Sequence, residues 1–214
     1  MEINDEIQII SDIEGIRIRP TMYLGNLLED KLTMLLKEVL CIGIEESIKG
    51  KCNRINIEVG KDRIIKVKEN GEGISMEKDE REISHAESFL TSLYGCREAK
   101  ENKHLGRKIC VIGIAVVNAL SEHFAIENNW NGEKWFQQYN YGQKLNSFTF
   151  LGHTNDKGTE ISFKLDTNIL KANEIDVNEL KSYFHSLELD VCSLKVQYKD
   201  LVTESRQTIF SSSF

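Results

Sequence analysis

The chain has 214 residues, enough for one domain that buries a substantial core without metals or disulfide bonds. Its 34 acidic residues outnumber 27 Lys and Arg, and the net charge of −7 argues against a free-standing DNA-binding module but leaves open a basic protein partner. No apolar run is long enough to span a membrane and the N-terminus lacks a signal region, so we expect a cytoplasmic protein without membrane contact. The five cysteines include no Cys-x-x-Cys pair, which predicts reduced thiols and no zinc site.

Hydrophobic periodicity places the elements along the chain. Leucines at helical spacing predict a helix over 31–49, which Gly50 ends. Strict alternation over 53–59 and again over 63–69 predicts two strands joined as a hairpin. The sequence then predicts, in order, a helix at 84–95, a polar loop at 97–107, a helix at 109–121, strands near 122–129, 133–141, 145–151 and 158–165, a helix near 176–188, a strand near 192–199 and a fraying end at 211–213. Helices followed by a run of adjacent strands predict an α+β two-layer sandwich.

One face of the first helix is acidic, with an apolar residue in its middle. Glu38, Ile42, Glu45 and Glu46 share this face, opposite the leucine stripe, because of their helical spacing. Acidic side chains on a helix can hold magnesium or act as a general base. They can equally form a solvated helix surface, and this segment alone does not decide between the two.

Two glycine-containing segments are candidates for backbone contact with a ligand. The segment 69–74 follows the second predicted strand, and its glycines, Gly71 and Gly73, allow the backbone to approach a ligand closely. The pair Gly158-Thr159 precedes a strand, where the hydroxyl group can serve a phosphate. Taken alone, each pattern also fits an ordinary turn or the start of a strand.

Taken in order, these segments resemble the ATPase domain of the type IIA topoisomerase B subunits, a branch of the GHKL ATPases. Residues 13–25 are similar to the family's Arg-x-Arg-Pro-x-Met-Tyr-x-Gly motif, and 116–121, Val-Val-Asn-Ala-Leu-Ser, to the helix after its ATP lid. Residues 38–52 resemble its first ATP-site helix, and 69–74 lie where the family has Asp-Asp-Gly-x-Gly-Ile. The resemblance implies the Bergerat fold, a mixed β-sheet backed by helices, in a single domain over 1–214 without a transducer domain.

The resemblance assigns roles to the candidate residues, and several of them depart from the family. Glu38 occupies the place of the glutamate that activates the attacking water. Ile42 replaces the asparagine that holds magnesium one turn later, and it offers no oxygen to the metal. The place of the aspartate that accepts the adenine amino proton is assigned to Asn70, which is uncharged. Glu72 replaces a family arginine near Glu46, so two carboxylates would face a triphosphate.

The phosphate-binding lid departs furthest from the family. The family's lid ends in Gly-x-x-Gly-x-Gly, whose backbone N–H groups wrap the phosphates, and residues 108–113 keep only Gly113. Side chains at Ile109 and Val111 would crowd the phosphate oxygens and restrict the backbone. On this resemblance, the chain has no intact set of catalytic residues and no metal site. Glu38 remains as a vestige of the catalytic base. The remnants of the nucleotide pocket are Glu38, Ile42, Glu46, Asn70, Gly71, Gly73, Gly113 and Thr159.

These departures lead to a first hypothesis, a degenerate, non-catalytic gyrase-B-like module that works by binding a protein partner. The partner is either a basic toxin, neutralised by an immunity or inhibitor protein, or a topoisomerase subunit under regulation, since acidic surfaces steer towards basic partners. This hypothesis expects no cofactor, no direct nucleic-acid contact, and a monomer or weak dimer. The alternative is a divergent active ATPase domain of a DNA topoisomerase, using ATP and Mg²⁺; a third hypothesis is nucleotide binding without hydrolysis. The residues of the active alternative are Glu38, Asn70, Gly71, Gly73 and Thr159.

Overall fold

The computed structural model describes residues 10–93, 111–189 and 193–212. The helices are α1 (Asp12–Ile18), α2 (Thr21–Leu24), α3 (Leu32–Ile48), α4 (His85–Thr91), α5 (Ile114–Ala119) and α6 (Val177–Ser186). The strands are β1 (Arg54–Val59), β2 (Ile65–Glu69), β3 (Ser121–Trp130), β4 (Glu133–Asn140), β5 (Gln143–Lys144), β6 (Thr149–His153), β7 (Gly158–Leu165), β8 (Leu194–Asp200) and β9 (Ser205–Ser212). The polar loop predicted at 97–107 lies outside the described residues.

The nine strands of the described residues form one mixed sheet. Eight of them follow the order β5-β4-β3-β7-β2-β1-β8-β9, and β6 pairs with β4. The pairing of β1 with β8 is parallel, whereas β1 with β2 and β2 with β7 are antiparallel. Helix α3 packs against β1 and β2, α5 against β3 and β7, and α6 against β9. The predicted α+β fold, a mixed β-sheet backed by helices, is confirmed.

Helix α3 is buried around most of its circumference. Leu35, Leu36 and Leu40 of the leucine stripe are completely buried, as predicted. Glu38 is also buried, although it lies away from that stripe. The segment before α5 therefore covers the acidic face at Glu38, whereas Ile42, Glu45 and Glu46 are half-buried.

The N-terminal Arg-x-Arg-Pro motif has a structural role. Helix α1 begins in a capping box, in which the Ser11 hydroxyl accepts from the Glu14 backbone N–H at 3.2 Å and the Glu14 carboxylate accepts from the Ser11 N–H at 2.9 Å. The Arg17 guanidinium donates to the Ala119 carbonyl at 2.7 Å and to the buried Asp166 carboxylate at 2.9 Å. The motif thus fastens the start of the chain to the helix that follows the predicted lid.

Three predicted elements differ from the structure. The strand predicted near 145–151 begins later, at Thr149, and runs to His153 as β6. The Asn146 side chain accepts from the Gln138 N–H at 3.0 Å and donates to the Ser147 carbonyl at 2.9 Å, which makes a turn between β5 and β6. The helix predicted over 109–121 is shorter in the described residues. It begins at Ile114, after Gly113 adopts φ 97° and ψ 155°, a conformation outside the helical region. The serine-rich end is a paired strand as far as Ser212, rather than a frayed tail.

Candidate functional site

The predicted site residues lie at the end of the sheet where β2 finishes and β7 begins. The turn 71–73 follows β2, and Thr159 stands at the start of β7. Helix α3 lies beside this turn, since a side chain at Gly71 would approach the Glu46 side chain to 3.0 Å. The segment 111–113 reaches the same helix at Glu38. The fold therefore assembles most of the predicted remnants from four separate segments.

Glu69 and Thr159 form the buried floor of this site. Glu69 is the last residue of β2 and is 3 % exposed, and its Oε1 accepts from the Thr159 hydroxyl at 2.8 Å. The same oxygen accepts from the Thr159 backbone N–H, and Oε2 accepts from the Gly71 N–H. Burial raises the pKa of the Glu69 carboxyl, and the hydrogen bonds oppose that rise only in part.

The raised pKa of Glu69 predicts a specific pH dependence of stability. A carboxyl whose folded pKa is raised favours the folded state while it is protonated, below its ordinary value of 4.5, and this contribution is lost as the pH rises through the folded pKa. We expect the free energy of unfolding of the wild type, minus that of Glu69→Gln, to fall as the pH increases from about 4.5. Urea unfolding of both proteins across the acidic range measures the difference, and a difference that rises with pH would contradict the assignment.

The sequence assigned Asn70 to the place of the adenine acceptor. Strand β2 ends at Glu69, where the sequence predicted its end, so the acidic side chain at the strand end is Glu69. The Asn70 Oδ1 instead accepts from the backbone N–H groups of Asn53 and Arg54, at 3.1 and 2.9 Å, and its Nδ2 donates to the Asn53 Oδ1 at 2.8 Å. Asn70 therefore fixes the chain between α3 and β1, and the carboxylate at Glu69 is the acceptor beside Thr159.

Glu38 is held by the backbone of the segment that precedes α5. Its carboxylate accepts from the Val111 N–H at 3.1 and 3.2 Å, from the Ile112 N–H at 3.1 Å and from the Gly113 N–H at 2.8 Å. Glu38 is 4 % exposed, and its hydrogen bond with the Gly113 N–H is buried. The residue predicted as a vestigial base and the one retained lid glycine are thus in direct contact.

Ile42 lies one turn beyond Glu38 and packs, half-buried, against the hydrophobic core. Its side chain has no oxygen, and Mg²⁺ requires oxygen ligands. Within residues 10–93, 111–189 and 193–212, no group of three or more His, Cys, Asp or Glu is placed to hold a metal ion. Because it has no oxygen, the Ile42 side chain does not fit the role of magnesium ligand that the resemblance implies.

The two carboxylates expected to face a triphosphate each have a lysine partner. Glu46 pairs with Lys49 at 3.2 Å, and Glu72 with Lys51 at 2.8 Å. The hydrogen bond and charge of Lys51 lower the pKa of the Glu72 carboxyl. The repulsion expected between these two carboxylates and a triphosphate is therefore reduced, because lysines on the loop after α3 compensate the negative charges.

Asn128 is a site residue that the sequence analysis missed. It is completely buried in β3, and its side chain accepts from the Ile74 N–H at 2.9 Å and donates to the Ile74 carbonyl at 2.7 Å. This pair of bonds fixes the end of the turn that contains Gly71 and Gly73. Phe124, Ile126 and Asn128 follow one another at every second position of β3, and this spacing could have predicted that Asn128 faces the core. A polar side chain at a core position needs a hydrogen-bond partner.

Comparison with known proteins shows that the sequence is similar to topoisomerase B subunits. The chain is 28 % identical over 206 residues to the B subunit of DNA gyrase from Thermotoga maritima, covering 95 % of this chain and 32 % of that protein. It is 32 % identical over 174 residues to the gyrase B subunit of Archaeoglobus fulgidus, with 79 % and 28 % covered. It is 28 % identical over 210 residues to the B subunit of DNA topoisomerase 4 from Mycoplasma genitalium, with 97 % and 33 % covered. The chain thus spans about a third of the length of these relatives, and no family model matches it.

In the part of the chain that the structure describes, no helix combines the length and apolar character needed to cross a bilayer.

Proposed function

Because this chain is homologous to the B subunits of gyrase and topoisomerase IV, we propose that it is a gyrase-B-like module that does not hydrolyse ATP and acts by binding a protein partner. Ile42 carries the proposal. It stands where the resemblance places the magnesium-binding asparagine, and it packs against the core instead of presenting an oxygen. Phosphoryl transfer depends on positioning and on neutralisation of charge by a metal, so a site without this ligand lacks a central requirement.

The state of Glu38 supports the same proposal. A general base must hydrogen-bond to the proton that it removes, and must leave room for the attacking water. The Glu38 carboxylate is buried and already accepts from three backbone N–H groups. In this arrangement Glu38 stabilises the segment before α5, and no cofactor is required for that role.

The partner is, on this proposal, a topoisomerase subunit that the module regulates. The homology to subunits named for gyrase and topoisomerase IV supports this version over neutralisation of a toxin, for which the described residues offer no specific feature. The net charge of −7 supports a partner with a basic contact surface, since opposite charges accelerate association. A complex formed in this way weakens as ionic strength increases.

The partner is tested by capturing proteins from the source cells with the wild-type chain and rebuilding the complex from purified components. We expect a stoichiometric complex with a topoisomerase subunit that weakens with added salt and does not depend on Mg-ATP. A complex that forms only in the presence of Mg-ATP would indicate an active nucleotide switch and would contradict the proposal.

A second candidate is the divergent active ATPase, and the buried Glu69–Thr159 pair favours it because a carboxylate and a hydroxyl can bind a polar ligand edge. The Ile42→Asn variant separates the candidates. We expect no steady-state Mg-ATP hydrolysis from the wild type, and none from the variant, because the added amide leaves Glu38 bound to the backbone. Turnover by the wild type would support the active enzyme, and turnover by the variant alone would show that Ile42 is the sole defect.

A further inference from the structure

The backbone N–H groups of the segment 111–113 bind an anion, and this anion is the carboxylate of Glu38 in the same chain. Three successive backbone N–H groups converge on one carboxylate, and the distances of 2.8–3.2 Å are those of full hydrogen bonds. Gly113 makes this convergence possible, because its φ of 97° and ψ of 155° belong to a region that only glycine adopts readily. The backbone thus keeps a nest even though the neighbouring lid glycines have been replaced.

Such a nest binds oxyanions of any source. Converging N–H groups form a concavity that accepts phosphate or carboxylate oxygens, and bonds to a charged acceptor are about twice as strong as neutral ones. Here the carboxylate oxygens of Glu38 stand in for the oxygens of a phosphate group. Because Glu38 is tethered within the fold, its effective concentration at the nest is far above that of a free anion in solution.

We infer that Glu38 is an internal anion that occupies the backbone nest of Val111, Ile112 and Gly113 and excludes phosphate groups from it. The inference deepens the proposed function and rests on it, since it gives the physical reason why the pocket is closed to triphosphates. A free phosphate must displace Glu38, and this would leave a buried carboxylate without its three donors. The contact is therefore autoinhibitory towards anion binding.

Removal of the carboxylate tests the inference, with inorganic pyrophosphate as the probe. In Glu38→Ala the three N–H groups lack an acceptor, so we expect pyrophosphate to bind this variant about tenfold more tightly than the wild type, or better, as measured by titration calorimetry. Glu127→Ala is the matched control, because it removes one carboxylate from the outer face of the sheet, where Glu127 pairs with Lys134. Equal pyrophosphate affinity in all three proteins, or an equal gain in both variants, would overturn the inference.

Amide hydrogen exchange of the wild type tests the contact directly, even if Glu38→Ala does not fold. We expect the amides of Val111, Ile112 and Gly113 to exchange about a hundredfold or more slowly than in an unstructured peptide, in the absence of any added anion. Exchange at the unprotected rate would overturn the inference. Failure of the proposed function is distinguishable, because it is seen as Mg-ATP turnover by the wild type, whereas this test requires no nucleotide.

Discussion

Arg17→Ala is expected to lower the free energy of unfolding by about 3 kcal/mol, because it removes the cation that pairs with a buried carboxylate. Asp166 is 2 % exposed, and the Arg17 guanidinium lies 2.9 Å from its carboxylate. The substitution leaves that carboxylate buried without its cation and also frees the Ala119 carbonyl at the end of α5. Denaturant unfolding monitored by circular dichroism measures the loss.

An exposed ion pair provides the control for Arg17. Lys78 and Glu82 pair at 3.0 Å with side chains 58 % and 82 % exposed, so Lys78→Ala should change the free energy of unfolding by no more than about 0.5 kcal/mol. If Arg17→Ala costs as little as Lys78→Ala, the N-terminal motif does not fasten α1 to α5, and its structural role must be abandoned.

Gly158→Ala is expected to cost roughly 2–4 kcal/mol, the sum of a strained φ and a backbone overlap. Gly158 begins β7 at φ 90°, and a Cβ there would overlap the Glu69 carbonyl oxygen and lie 2.9 Å from the Asn70 Cα. Neither of these groups can move without shifting β2. The variant should also disturb the Glu69–Thr159 pair, because Thr159 is the next residue.

Gly132→Ala separates strain from overlap. Gly132 has a similar φ of 80°, but no atom lies within 4 Å of a Cβ added there. Its substitution should therefore cost only about 1 kcal/mol, the penalty for a left-handed alanine. Equal losses in the two variants would mean that the close approach of β7 to the end of β2 contributes nothing.

The regular elements could be predicted from the sequence because their signals are local. The alternation over 53–59 and 63–69 predicted β1 and β2, and the structure pairs them as an antiparallel hairpin. The signal of the next hairpin was also present, since Asn131-Gly132 is a typical two-residue turn and both residues have positive φ. The parallel pairing of β1 with β8 was not predictable in this way, because it joins segments 141 residues apart, as the Lys199–Glu58 pair shows.

The chemistry of the site was predicted less well, for two different reasons. Asn70 was assigned the acceptor's place, whereas the carboxylate that accepts from the Thr159 hydroxyl belongs to the preceding residue, Glu69. The alternation of Ile65 and Val67 already placed Glu69 on the buried face of β2 and Asn70 beyond it. The contact of Glu38 with Gly113 was not predictable from spacing, because 75 residues separate them and no local pattern encodes the pairing. The family resemblance assigned both residues to one pocket, Glu38 as the vestigial base and Gly113 as part of the phosphate-binding lid, but it did not imply a contact between them.

We expect this pocket not to accept Mg-ATP, because Ile42 offers no metal ligand and Glu38 binds the backbone N–H groups before α5. Titration calorimetry of the wild-type chain with Mg-ATP tests it most directly. We expect no binding heat at concentrations where a site of micromolar affinity would saturate, and no rise in melting temperature, which such a site would produce by mass action. A dissociation constant in the micromolar range or below would contradict it.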